Sequence, residues 1–132
     1  RGDRRGHRPQ GAAAGVRIIA GQHRGLRLAD VGAGDPAAHL RPTGDRVREA
    51  IFNLLLGGRL GDPVTGAQVL DLFAGTGALG IEALSRGAAF VTFVDDGRVA
   101  GRLIADNLRR AGRAADARLL AQPVARLSAG GG

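Results

Sequence analysis

Val69-Leu70-Asp71-Leu72-Phe73 is an apolar, β-compatible run broken by one carboxylate. Without strict alternation, such a run reads as a strand buried on both faces. Gly75 and Gly77 turn the chain. Ala78, Leu79, Ile81, Ala83 and Leu84 then carry a helix that closes at Gly87, a suitable residue just past a helix end. Phe90–Val94 is a second apolar run. Gly97–Ala111 follows as a helix with Val99, Leu103, Ile104 and Leu108 on one stripe and Gly112 at its end. Gly101 weakens that helix by about 1 kcal/mol relative to alanine. Ala117–Ala121 is a short third strand, and Gln122-Pro123 opens a helix-like piece. Strands alternating with helices predict a parallel α/β sheet.

Upstream of the sheet, Val47, Ala50, Ile51, Leu54 and Leu55 recur at helical spacing, with Arg46, Arg48, Glu49 and Asn53 on the other face. Thr43 or Gly44 is the expected N-cap, and Asp45 suits the positive end of the helix dipole. Gly57-Gly58 ends this helix, and Gly61–Gly66 links it to the sheet. Val16–Leu28 holds two short β-prone runs around a turn from Gly21 to Gly25, which predicts a hairpin studded by Arg17, Arg24 and Arg27. Residues 1–15 are charged, glycine-rich and aperiodic, and read as a disordered basic tail. The expected organisation is therefore a tail over 1–15, hairpin and loop over 16–40, and a sheet-bearing unit over 41–132.

The strand–glycine turn–helix is where the chemistry is expected. Gly75, Gly77 and Gly80 satisfy G-x-G-x-x-G, a weak signal alone in a chain with 23 glycines. Its placement between strand and helix strengthens it. Asp95 ends the second apolar run, where a carboxylate grips a ribose diol. Asp71 then separates two cofactor classes. A dinucleotide site aims a helix N-terminus at a pyrophosphate, which a carboxylate four residues before the first glycine would repel. S-adenosylmethionine carries a sulfonium and an ammonium and no phosphate. The residues therefore favour S-adenosylmethionine over NAD, with a Rossmann oxidoreductase as the alternative.

The stretches V-L-D-L-F-A-G-T-G-A-L-G-I-E-A-L-S-R-G-A and R-P-T-G-D-R-V-R-E-A-I-F-N-L-L together resemble the bacterial 16S ribosomal RNA guanine-N2 methyltransferases of the RsmD family, from about Val16 to about Leu127. The resemblance implies a class I S-adenosylmethionine-dependent methyltransferase sheet (Rossmann-like), truncated after its third strand, with an N-terminal β-hairpin. It implies methylation of the N2 amino group of a guanine in small-subunit ribosomal RNA. Asp71, Phe73, Gly75, Gly77, Asp95 and Asp96 would hold the cofactor. Arg17, Arg24, Arg27, Arg41, Thr43, Arg46 and Arg48 would face RNA. The partner would be ribosomal RNA or the small ribosomal subunit, and the complete protein a monomer. The Asn/Asp-Pro-Pro-aromatic motif that grips the base in such enzymes is absent, so this chain supplies no catalytic residue and the isolated chain is expected to be inactive and to associate through its open sheet edge. Gly44, Gly97 and Pro123 stand where the family often has threonine, an acid and an acid.

Composition changes this picture only at the margins. The 132 residues include 19 basic ones, all arginine, and the net charge is +7. Residues 1–59 hold eleven arginines against five acids, and residues 60–132 eight against seven, so the charge resides upstream of the sheet. That distribution suits an anionic partner and keeps open a non-enzymatic RNA-binding module as a further reading. No cysteine is present, and His7, His23 and His39 lack metal-ligand spacing. No run is long enough to span a membrane and no signal-peptide core is visible, so the expected location is cytoplasmic. The absence of an initiating methionine is expected of a fragment, of a processed product or of a chain whose start is miscalled.

Overall fold

A computed structural model describes residues 16–30, 44–72, 74–123 and 125. Phe73, Arg41, Thr43 and the tail over 1–15 lie outside the described residues. The elements run β1 (Val16–Arg17), β2 (Arg27–Leu28), α1 (Asp45–Leu55), β3 (Gln68–Asp71), α2 (Ala78–Ser85), β4 (Phe90–Val94), α3 (Arg98–Ala111), a single 3-10 turn (Ala114–Asp116) and β5 (Ala117–Leu120).

β3, β4 and β5 form a parallel sheet in that order, and β1 pairs with β2 as the expected hairpin. The register places Asp71 beside Phe93 and Phe93 beside Leu119. Both crossover helices lie on the face of this row. Gly80 of α2 closes on the Phe93 ring, and Gly101 of α3 closes on the Leu119 side chain. The core sits between sheet and helices, where Ile81, Leu84, Val91, Phe93 and Ile104 are buried. Each such side chain contributes about 1.5–3 kcal/mol of apolar burial.

The opposite face is less covered than the expected burial of β3 on both faces requires. Leu70 keeps 55% of its surface exposed. It shares a row with Thr92 and Arg118, and the Arg118 guanidinium donates to the Thr92 hydroxyl at 3.3 Å. β3 thus alternates between a helix-facing side and an open one. Among the described residues it has a strand partner only in β4.

α1 requires a larger correction. Its apolar stripe predicts burial of Val47 and Leu54, yet these are 54% and 69% exposed, while Arg48 and Phe52 are buried. The helix is rotated about its axis relative to that expectation. The cause is an acceptor inside the protein. The Glu82 carboxylate, fully buried on α2, takes the Arg48 guanidinium at 2.9 Å. Arg86 completes the anchor, bonding Glu82 at 2.8 Å and lying 4.6 Å over the Phe52 ring. A guanidinium over an aromatic face adds a cation–π attraction.

The same carboxylate ties down the hairpin. Glu82 accepts the backbone N–H groups of Ile19 at 2.9 Å and Ala20 at 3.1 Å. One turn on, the Ser85 hydroxyl accepts the N–H of His23 and donates to the carbonyl of Ala20. Gly21 is obligatory here: at φ 90° it approaches so closely that a β-carbon would sit 2.1 Å from the Ser85 carbonyl oxygen. The hairpin is therefore bolted to α2 by buried polar contacts, with a ladder of only two residue pairs.

Candidate cofactor site and basic face

Asp71 is the last residue of β3, and α2 begins at Ala78. Between them, Gly75 and Gly77 adopt left-handed backbone at φ 55° and 86°, where a side chain would be strained. The third glycine of the motif serves packing. A β-carbon on Gly80 would lie 2.4 Å from the Phe93 ring, so glycine lets helix and sheet close together.

Two carboxylates hold this turn. Asp71 accepts the N–H of Gly80 at 3.1 Å, and Asp95 accepts the N–H of Gly75 at 3.0 Å through one oxygen and that of Gly97 at 2.8 Å through the other. Asp71 is 8% exposed. Burial pushes its pKa up to about 6; the Gly80 N–H opposes this and the nearby Asp95 charge adds to it. The turn thus carries one buried acid at the end of β3, bonded to the first turn of α2, and one half-buried acid just past the end of β4.

This arrangement tests the fit to each cofactor class. The Gly75 and Gly80 amides, which could cradle a pyrophosphate, already serve carboxylates of the same chain. An incoming phosphate would meet negative charge and few free donors. A positively charged group beside Asp71 would relieve its buried charge, and each Asp95 oxygen keeps a lone pair for a hydroxyl. The residues fit S-adenosylmethionine and do not fit a dinucleotide. Asp96 is exposed beside the site. Among the described residues no group of His, Cys, Asp or Glu could hold a metal ion.

An open apolar cavity of about 530 Å³ adjoins Asp71. It is lined by Ile51, Phe52 and Leu55 of α1, Val69, Leu70 and Leu72 around β3, and Leu79, Gly80 and Ala83 of α2. The half-buried apolar residues of α1, Ile51 and Leu55, therefore wall a cavity.

The basic residues separate into two sets. Arg17, Arg24, Arg27 and Arg46 are exposed. Arg17 and Arg27 stand directly opposite each other in the hairpin ladder, and like charges so placed repel. Arg48 does not belong with them. It is fully buried, paired with Glu82 and with Asp45 at 2.5 Å, and also donates to the Arg17 carbonyl. Its expected role on RNA is corrected to an internal one. Arg41, Thr43 and Phe73 lie outside the described residues.

Glu82, Ser85 and Asn107 were not singled out by the sequence pattern. Each is a polar residue within a partly apolar helical stretch, Ile81-Glu82-Ala83-Leu84-Ser85 and Ile104-Ala105-Asp106-Asn107-Leu108. Periodicity alone does not tell an inward polar residue from a solvated one. No helix is long and apolar enough to cross a membrane among the described residues.

Comparison with known proteins adds independent support. Residues 16–128 match the family described as conserved hypothetical protein 95. The chain is 45% identical over 93 residues to the ribosomal RNA small subunit methyltransferase D of Escherichia coli strain K12, covering 70% of this chain and 42% of that protein. It is 43% identical over 94 residues to the protein of the same name in Haemophilus influenzae, covering 71% and 44%. A solved structure of a hypothetical protein from Thermus thermophilus superposes with a TM-score of 0.67 at 38% identity, over 85% of this chain and 58% of that one. The chain spans less than half the length of these curated relatives. With its parallel sheet, its glycine turn flanked by Asp71 and Asp95, and this similarity, the chain belongs to the RsmD family.

Proposed function

We propose that this chain is the cofactor-binding part of an S-adenosylmethionine-dependent enzyme that methylates the N2 amino group of a guanine in small-subunit ribosomal RNA. One observation carries the cofactor half of this reading: Asp71 holds an amide in the first turn of α2 with a carboxylate whose pKa is raised to about 6. That site rewards a cation and penalises a phosphate. The chemistry that S-adenosylmethionine supplies when bound is an electrophilic methyl group. Asp71 would face its positively charged methionine end, Gly75 and Gly77 would let the backbone approach it, and Asp95 would accept from the ribose hydroxyls. Asp96, exposed beside Asp95, is a second acceptor for the adenosine. Phe73 is carried over from the resemblance alone.

The RNA half rests on the exposed Arg17, Arg24, Arg27 and Arg46, with Arg41 and Thr43 added by the resemblance. Arginine forks match phosphate geometry. Transfer to a base amino group requires the methyl carbon and the nitrogen to be held in line. Gripping the base is assigned to an Asn/Asp-Pro-Pro-aromatic motif, which this chain does not contain.

Calorimetric titration with S-adenosylhomocysteine and with NAD tests the cofactor assignment. Binding of the first and not the second is expected. Asp95→Ala should weaken it about tenfold, since a charge-assisted hydrogen bond contributes about 1.5–3 kcal/mol. Preference for NAD would move the chain to the oxidoreductase reading. RNA binding unchanged by loss of both Asp71 and Asp95, with no affinity for either cofactor, would leave an RNA-binding module.

A further inference from the structure

Asn107 lies in α3, fully buried, and belongs to neither the cofactor carboxylates nor the basic face. Its side-chain nitrogen donates to the Thr76 carbonyl at 2.9 Å and to the Ala29 carbonyl at 3.0 Å. Its oxygen accepts the Ala29 N–H at 2.6 Å. Three of the four hydrogen bonds an amide can make are thus formed, all to backbone and all to segments far from α3 in sequence. One is the glycine turn. The other is the chain leaving the hairpin just after β2.

The peptide joining Thr76 to Gly77 is held from both sides: its N–H donates to the Ala74 carbonyl at 2.7 Å and its carbonyl accepts from Asn107. Thr76 sits between two left-handed glycines, and Gly75 and Gly77 offer no side chain to lock the peptide planes beside it. Asp95 fixes the Gly75 end through that residue's N–H. At the Thr76 end the carbonyl points to Asn107. A peptide flip there would bury an unpaired carbonyl and unpaired amide hydrogens, which is costly.

We infer that Asn107 is a positioning residue for the cofactor turn, and that by bonding Ala29 with the same amide it couples the placement of the hairpin to the shape of that turn. The inference rests on the S-adenosylmethionine reading for what fills the turn, and on geometry alone for what holds it.

Two substitutions and one control test this in the 132-residue chain. Asn107→Asp keeps the acceptor for Ala29 but, ionised, sets a negative charge against two carbonyls; protonated, it regains one donor. Asn107→Leu removes all three bonds. Leu108→Ala, at the neighbouring core residue, opens a cavity and removes none of the three Asn107 side-chain bonds. Affinity for S-adenosylhomocysteine is measured by calorimetry at about pH 8 and about pH 5, on either side of a buried carboxyl's titration, each relative to the unsubstituted chain at that pH. Amide hydrogen exchange at Gly75 and Gly77 is measured without ligand.

Asn107→Asp should lose about tenfold in relative affinity at the higher pH, the loss of roughly one hydrogen bond, and recover most of it at the lower. Both Asn107 variants should speed exchange at Gly77. Leu108→Ala should lower the melting temperature while keeping affinity within about twofold. Equal affinity losses in Leu108→Ala and Asn107→Asp would reduce Asn107 to a core residue and overturn the inference, as would unchanged exchange at Gly77 in both Asn107 variants. If the unsubstituted chain binds no S-adenosylhomocysteine, the cofactor reading falls, and exchange at Gly77 still decides the positioning role.

Discussion

Arg48 of α1 and Glu82 of α2 meet at 2.9 Å with both side chains fully buried. Every oxygen of Glu82 is used: one accepts from Arg48 and Ile19, the other from Arg86 and Ala20. This carboxylate joins the hairpin, α1 and α2. Taking two ions out of water is expensive, so the pair is sustained by complete satisfaction of its hydrogen-bonding groups. Removing one partner leaves the other buried without its counter-charge.

Glu82→Gln should therefore destabilise the fold by about 3 kcal/mol, measured by urea unfolding. Arg109→Ala serves as the comparison. Arg109 pairs with Asp106 on the surface, 70% exposed, and its loss should cost far less, because water and salt screen such a pair. Similar losses in the two variants would mean that the buried network does not hold the three elements together.

Asp71 should make stability fall with rising pH. Its pKa is raised from 3.8 to about 6 in the folded state, so the folded protein binds more protons than the unfolded chain between those values. The contribution is fully present below about pH 4 and lost as pH rises through about 6. A displacement of this size corresponds to about 3 kcal/mol, an upper figure, once both states are ionised. Asp71→Asn should be more stable than the unsubstituted chain at about pH 8 and equal to it near about pH 4. Equal stability at both values would show that the buried acid carries no strain.

His23 acts in the opposite sense. Its Nε2 is buried without a hydrogen-bond partner, and burial, then the Arg113 charge, lowers its pKa below 6.5. The unfolded chain binds the proton more readily. Stability from a neutral His23 is present above pH 6.5 and lost as pH falls through the lower folded value. His23→Leu should flatten the pH dependence as pH falls below 6.5. A slope identical in both proteins would place the acid sensitivity elsewhere.

If Arg17, Arg24, Arg27 and Arg46 contact phosphates, RNA affinity should fall steeply with salt. Each arginine changed to alanine should reduce the log–log slope by roughly 0.7–0.9. Filter binding across a salt series measures this directly. A slope indifferent to all four substitutions would make the hairpin arginines a solvated surface.

Local interactions account for what the amino-acid sequence alone determines. The glycines at 75, 77, 87 and 112 mark turns and helix ends because backbone sterics act within a few residues. Phe90–Val94 is a strand over its whole predicted range. Helix ends at Ala111 and near Ser85 fall where the glycine signals put them. The parallel order follows from alternating strands and helices, which leave few topologies open.

What tertiary structure decided is where polar groups find partners across the chain. The stripe on α1 counted apolar positions and turned Arg48 outward, whereas Glu82, 34 residues away, draws it into the core. Asp71 could be read as hostile to phosphate from its place in the sequence. Only the folded turn shows it seated on the Gly80 amide, nine residues on, with Asp95 on the Gly75 amide at the same turn. Asn107 gave no periodic signal, and its partners Ala29 and Thr76 are 78 and 31 residues distant. Helix and strand propensities are summed over neighbours, but a buried hydrogen bond depends on two groups meeting in space with water excluded.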